Sequence, residues 1–491
     1  MLACTAAAQP RLGINLNGPS DWNSELPFVD VFRQSRTWIS QREGQDWGKG
    51  PPLELDEHGW VHRLESGCYA ESPLCTIRGG HYPSGEYVVL YEGKGTIQMN
   101  KARIVQQKPG RLVIDVPKGG GGFFLQVRQT DPNDYIRNIR VIMPGFEATY
   151  QKEPFHPAFL GRWRHAAVIR FMDWMHTNNS KISTWKQRPE VEDATWSNDG
   201  VPLEVMIELC NQLNVDPWFC IPHMADDDYV RHFAELVRDR LNPKLKAYVE
   251  YSNEVWNRQF AQQKYAAQQG QALKLSDNPQ RNGWAYTSVR SVEIFGIFED
   301  VFKGTDRLIR VLPSQAANSF VAEQITSFRD AYRHADALAI APYFGFAIPS
   351  RDAARWRDAG AEAVLDHIEK ETLPDAIGNI QENKRVADKH KLKLIAYEAG
   401  QHLVGVGGAE KDQKLMSVLQ AANRHERMGK LYLAYFDAWA KEGGDVMAVF
   451  NSIAGWTKWG SWGLMQYYDD NPADNPKMQA VKQWLDRQKQ K

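Results

Sequence analysis

The stretch "YSNEVWN" (251–257) ends a strand-like run, Ala247 to Ser252, on an amide and an acid, Asn253 and Glu254, with Trp256 just behind. Much later, "IAYEAG" (395–400) ends a second apolar run on Glu398. Two carboxyls in different protonation states are what cleavage of a glycosidic bond needs. One protonates the departing oxygen; the other attacks the anomeric carbon or activates water, at about 5–5.5 Å for retention and about 6.5–9.5 Å for inversion. A lone Asn-Glu has a plainer explanation, an acid favoured at a helix N-terminus by the dipole. A second Glu closing another strand-like run turns the balance toward a reacting pair. An arginine, Arg170, is placed to keep Glu398 ionised, and Tyr343 to donate a hydrogen bond to it, although Arg170 also suits a structural ion pair.

These residues need a scaffold that brings distant strand ends together. Eight apolar runs qualify: 11–17, 166–174, 217–223, 247–254, 307–315, 337–344, 392–400 and 445–452. From the second run onward, stretches with helical spacing separate them, such as "PLEVMIELCNQLN" and "DDYVRHFAELVRDRL". Alternation of this kind predicts βαβ units, and eight of them predict a closed (β/α)8 TIM barrel. In such a barrel, functional side chains stand at the C-terminal strand ends. Those ends carry Asn15, Asn17, Asp21 and Trp22; Arg170, Asp173 and Trp174; His223; Asn253 and Glu254; Ser314 and Gln315; Tyr343; Glu398; and Asn451 and Trp456. The region 50–150 breaks the rhythm, with short β-like runs divided by turn residues, and predicts a β-sandwich-like domain inserted near the N-terminus. The expected division is 11–45 for the first strand and helix of the barrel, 50–150 for the insert, and 155–491 for the remaining barrel. "GGGG" (119–122) lacks a following Lys-Ser/Thr and a helix, so it reads as a hairpin and not a phosphate loop.

On "YSNEVWN" and "IAYEAG", and on their places after strands 4 and 7, the chain resembles the clan A retaining glycoside hydrolases, the (β/α)8 enzymes that include family 5 cellulases and mannanases. The resemblance implies Glu254 as acid/base, Glu398 as nucleophile and Asn253 as a partner of the sugar 2-hydroxyl. It also implies Arg170, His223 and Tyr343 at the strand 2, 3 and 6 positions, and Trp456 as the strand 8 aromatic platform, with Trp459 and Trp462 competing in "GWTKWGSWG". Trp174 and Gln315 complete the expected substrate-binding set. Ala341 stands where family 5 has a histidine before the strand 6 tyrosine, and the large β-insert is not the family 5 layout, so the likeness is one of clan. The function implied is retaining hydrolysis of a β-linked oligo- or polysaccharide without a cofactor. A carbohydrate-binding pseudoenzyme and a polysaccharide transglycosylase are the alternatives.

Composition fits this picture and excludes others. The 491 residues carry 59 Lys plus Arg against 60 Asp plus Glu, a net charge of −1, with no long basic run, so nothing points to nucleic acid. No run of apolar residues is long enough to span a membrane. The 17 Trp, 18 Tyr and 20 Phe suit both a large core and a cleft that stacks on sugar rings. "HMADDDYV", through His223, Asp226, Asp227 and Asp228, invites a metal reading, but three acids opening a helix are more simply caps, and no metal is expected. Of five cysteines, Cys68 and Cys75 in "GCYAESPLC" are close enough in sequence for a disulfide across a short loop, a pairing the sequence leaves open, and Cys210 and Cys220 are expected as buried thiols. "MLACTAAAQP" reads either as the tail of a trimmed export signal, implying a secreted or periplasmic protein, or as an Ala-rich stub.

Overall fold

The computed structural model describes residues 11–489. The export-signal reading of residues 1–10, with Cys4, lies outside the described residues. Eight parallel strands close a barrel: β1 (Leu12–Asn15), β2 (Val168–Arg170), β3 (Asp216–Ile221), β4 (Ala247–Tyr251), β5 (Leu308–Pro313), β6 (Ala337–Ile340), β7 (Lys393–Ala396) and β8 (Met447–Val449). Each pairs with its sequence neighbour, and β8 returns to β1 through Leu12–Met447, Gly13–Ala448 and Ile14–Val449. Each strand lies inside one of the eight apolar runs, except that β3 starts one residue early, at Asp216. Their bodies are buried nearly throughout, because a parallel sheet covered by helices has no solvent face.

Helices cover the barrel between these strands, among them Leu203–Leu213, Asp227–Arg240, Asn282–Phe302, Leu373–Lys389 and Glu426–Lys441. Asp226 caps Asp227–Arg240 by accepting from the Tyr229 N–H at 2.7 Å, and Asp227 pairs with Arg290 at 2.7 Å. The acids of "HMADDDYV" thus start and dock a helix. No helix among the described residues is long and apolar enough to cross a membrane.

Between β1 and β2 the chain builds two four-stranded antiparallel sheets. One contains Ile39–Arg42, Cys68–Leu74, Phe123–Thr130 and Gly95–Asn100, and the other Arg137–Ile142, Gly85–Glu92, Arg111–Val116 and Arg103–Lys108. Alternate residues of both, such as Leu125, Val127, Val89, Ile114 and Val141, share one apolar core separate from that of the barrel. Two expectations need correction here. No α-helix follows β1: the chain makes only a 3-10 turn at Val31–Gln34, and Ile39–Arg42 already pairs with Cys68–Leu74, so most of 11–45 leads into the sheets. The first helix on the barrel, Pro157–Trp163, comes after the insert. The Gly119–Gly122 run crosses between the sheets, from Arg111–Val116 to Phe123–Thr130, and is no hairpin.

Cys68 and Cys75, whose pairing the sequence leaves open, are buried free thiols. They flank one extended strand, and seven residues at about 3.3 Å each hold them some 23 Å apart, far beyond disulfide reach. Cys210 and Cys220 are buried thiols as expected.

Candidate active site

Arg170, the last residue of β2, lies fully buried below the C-terminal mouth of the barrel. It makes two hydrogen bonds to Glu250 of β4 (Nε–Oε2 3.0 Å, Nη2–Oε1 3.2 Å). It also donates to Glu398 Oε1 at 3.0 Å, Asn253 Oδ1 at 2.8 Å and Asn15 Oδ1 at 3.1 Å. Every N–H of the guanidinium fork points at an oxygen from strands 1, 4 or 7, the arrangement in which arginine is hard to replace by lysine. Trp218 Nε1 completes Glu250 at 2.8 Å.

Glu398 follows β7 and is held from both sides, by Arg170 on Oε1 and by the Tyr343 hydroxyl on Oε2 at 2.9 Å. Burial raises its pKa, and Arg170 and Tyr343 act in the opposite direction. The backbone behind Glu398 turns at Gly400, where φ is +131° and a Cβ would sit 2.8 Å from the Tyr432 hydroxyl, so a side chain there has neither the conformation nor the room.

Glu254 follows β4 and has no cation in contact among the described residues. Asn257 Nδ2 donates to its Oε2 at 2.8 Å. Burial first, then the charge of Glu398, push its pKa up to about 7. The backbone delivering it is unusual, with Ser252 at φ +58° and Glu254 at φ +42°, although neither is Gly or Asn. Left-handed conformations at such residues cost about 1–3 kcal/mol each and cluster at functional sites. A third carboxyl, Asp173 after β2, is likewise pushed up to about 7 by burial and by Glu398.

The other sequence candidates fall into two groups. Tyr343 reaches Glu398, and its ring meets His402, Trp462 and Phe450 edge-on at 5.7, 5.8 and 6.5 Å. Asn253 is buried, accepts from Arg170 and donates to Asn178 Oδ1 at 3.0 Å, so it joins the network beneath the mouth. His223 is buried at the end of β3 with Nδ1 unpartnered, its ring edge-on to Tyr265 at 5.4 Å, and burial lowers its pKa to about 4. Gln315 stands half-buried after β5.

Two tryptophans are displaced from the expected set. Trp174 is fully buried, packed on Phe28, Phe159 and Phe171 with Nε1 on the Asn17 carbonyl, so it is core and not a sugar contact. Trp456 is only 6% exposed and is clasped by Arg424 and Lys477 at 4.6 and 4.7 Å from its ring. Those cations come from the helices Gln413–Arg424 and Pro476–Lys489. Trp462 is the member of "GWTKWGSWG" that reaches the aromatic group around Tyr343.

Sequence reasoning did not single out Glu250, Asn178 or Asn257; Asn15 was named only as a strand-end residue, and Trp462 only as a competitor of Trp456. A glutamate inside an otherwise apolar strand, "AYVEY", was the available signal for Glu250, since a buried charge in a barrel wall demands a partner.

No family model matches the sequence, and no curated protein matches it. Among solved structures, the chain is similar to a 4-O-α-L-rhamnosyl-β-D-glucuronidase from Fusarium oxysporum 12S, at 10% identity and a TM-score of 0.37 over 65% of this chain and 61% of that one. It is similar to a GH5 xyloglucan-specific endo-β-1,4-glucanase from a metagenomic library, at 10% identity and a TM-score of 0.35 over 65% of this chain and 84% of that one. It is also similar to a Cellulomonas fimi endo-β-1,4-mannanase of glycoside hydrolase family 26, at 12% identity and a TM-score of 0.34 over 65% of this chain and 63% of that one. The match thus spans less than two thirds of the first of these chains. The barrel assignment itself stands on the closed strand order described above.

Proposed function

We propose that this protein is a retaining β-glycoside hydrolase acting on an oligo- or polysaccharide. The observation that carries the proposal is the unequal treatment of two carboxyls at one barrel mouth. Glu398 has a guanidinium and a hydroxyl donating to it; Glu254 has a single amide and a pKa near 7. Of the pair, Glu398 is therefore the ionised nucleophile and Glu254 carries the proton.

In the first step Glu398 attacks the anomeric carbon as the C–O bond breaks, and the proton of Glu254 passes to the leaving oxygen. In the second, the Glu254 carboxylate takes a proton from water, whose oxygen displaces Glu398 and releases the sugar with its β-configuration restored. When Glu398 is esterified its charge is gone, and the upward push on Glu254 weakens, which suits Glu254 to the role of base in the second half. Arg170 and Tyr343 position Glu398, and Trp462 is the proposed aromatic wall.

Proton NMR of the product formed in the first minutes, before mutarotation, tests the stereochemistry. The β-anomer is expected first. Initial α-anomer would require an inverting reaction and would remove Glu398 from its role as nucleophile.

A further inference from the structure

Beside the mouth lies a hollow of about 490 Å³, lined among others by Asn17, Trp22, Arg36, Asp173 and His176. Asn178 also lines it while accepting from Asn253, so the hollow opens directly beside the catalytic network. A second hollow of about 430 Å³ runs between the sandwich region and the barrel, past Trp38 and His58. The two share Arg36, Thr37 and Asn198 in their walls.

The walls are fixed. The barrel segment 193–197 is bonded along the sandwich side: Ala194 N–H to the His58 carbonyl at 2.9 Å, Trp196 N–H to Arg33 at 2.7 Å, and the Thr195 and Ser197 hydroxyls to Ser35 at 2.5 Å.

Two features of the lining point to a ligand. Trp22 is 57% exposed at the rim, an unusual cost for an indole that no core requires. The Asp173 carboxyl makes no hydrogen bond or ion pair among the described residues, although it is half-buried and in the electrostatic field of Glu398 and Arg170. Arg36, by contrast, is spent: both its Nε and Nη2 bond to Asp21, at 3.0 and 2.9 Å, and its guanidinium lies 5.3 Å from the Trp22 ring. The near hollow therefore offers an aromatic face and a free carboxyl but, among its described lining residues, no free cation for an anionic sugar; in the far hollow the exposed Lys186 is without an ion pair among the described residues.

We propose that the two hollows form one furrow that seats an uncharged glycan chain leaving the barrel mouth, with Trp22 as a stacking face and Asp173 as a partner of sugar hydroxyls. The sandwich region is then a wall of the substrate cleft, and the substrate is a neutral polymer cut within its chain. This rests on the glycosidase reading above and extends it to a substrate class.

The test is affinity electrophoresis of the full chain carrying Glu398→Gln, in gels containing hydroxyethylcellulose, glucomannan, laminarin or polygalacturonate. Retardation by at least one of the three neutral polymers is expected, and not by polygalacturonate. Trp22→Ala added to this chain is expected to weaken the apparent affinity about ten-fold, and Asp173→Asn about three-fold. Trp22 leaves no cavity when removed, so its effect is not one of folding. Retardation by no polymer, by polygalacturonate alone, or by a neutral polymer but unchanged in both variants would overturn the furrow. Labelling of the unmutated protein by 2-deoxy-2-fluoro aryl β-glycosides separates the two ideas. A labelled Glu398 with unaltered binding in the variants sinks the furrow alone. An unlabelled Glu398 with binding lost in Trp22→Ala sinks the hydrolase and leaves the furrow standing.

Discussion

The two ends of the barrel handle charge in opposite ways. At the N-terminal end Asp445 and Asp336 are each held by basic side chains. Asp445 meets Lys393 at 2.9 Å and Arg11 at 3.6 Å, and Asp336 takes a two-pronged Arg310, with Nη2–Oδ1 and Nε–Oδ2 at 2.8 and 2.9 Å. The bases Lys393 and Arg11 are well exposed, so water shares the load. At the C-terminal end four carboxyls, Glu250, Glu398, Glu254 and Asp173, surround one arginine, and the arginine is fully buried. Burial first, and then the charge of Glu398, push two of them, Glu254 and Asp173, up to about 7. The lower end pairs its acids with bases; the upper end holds raised carboxyls, which suits the proton transfer proposed above.

Three substitutions would break or sharpen this contrast. The largest effect is expected from Arg170→Met, which strands Glu250 and Glu398 without their cation. A loss of about 3–5 kcal/mol at neutral pH is expected by urea unfolding. The loss should shrink as pH falls and the stranded carboxyls take up protons, and Arg170→Met with Glu250→Gln should recover part of it. An equal loss at pH 4 and pH 8 would mean that packing, and not charge, is what Arg170 supplies.

Glu254→Gln comes next and acts in the other direction. The folded pKa of about 7 lies above the unfolded value of about 4.3, so the unfolded chain holds fewer protons between those two values. Glu254 therefore costs nothing below about pH 4 and progressively destabilises the fold as pH rises toward 7. The Gln variant is expected to be more stable at pH 7.5 by about 2 kcal/mol, to lose that advantage by pH 4, and to be nearly inactive on substrates with poor leaving groups. In the parent, kcat/KM should fall above about pH 7 as Glu254 ionises. A rate that rises through pH 8 would contradict an acid role.

The smallest effect belongs to the lower end. Asp445→Asn removes the partner of two exposed bases and is expected to cost no more than about 1 kcal/mol, further reduced by salt, with turnover unchanged. A large salt-independent loss would show that both ends of the barrel depend on buried charge.

The barrel was legible because each of its strands is an apolar run ending in polar residues, a pattern that survives without any coordinates. Glu254, Glu398, Arg170 and Tyr343 were legible for the same reason, since strand ends in a closed barrel converge. What failed was depth and direction. Glu250 sits mid-strand, where period-two reading cannot tell the barrel interior from the helix layer when both are dry. Trp174 follows a strand end yet folds back under Phe28 into the core. Among Trp456, Trp459 and Trp462, spacing could not choose, because the choice is made by Arg424 and Lys477 on helices elsewhere in the chain. The cysteine pairing stayed open in the sequence because seven residues make a short loop only if the chain turns, and here it stays extended.

The most direct test of the central claim is to trap the nucleophile. The full chain would be incubated with a panel of 2-deoxy-2-fluoro aryl β-glycosides, and its intact mass and peptide map recorded. A single added fluoroglycosyl group on the peptide containing Glu398, absent in Glu398→Gln, is the result this account predicts. A stable adduct on Glu254, Glu250 or Asp173 instead would contradict it, because the carboxyl that attacks would then not be the one that Arg170 and Tyr343 hold ionised.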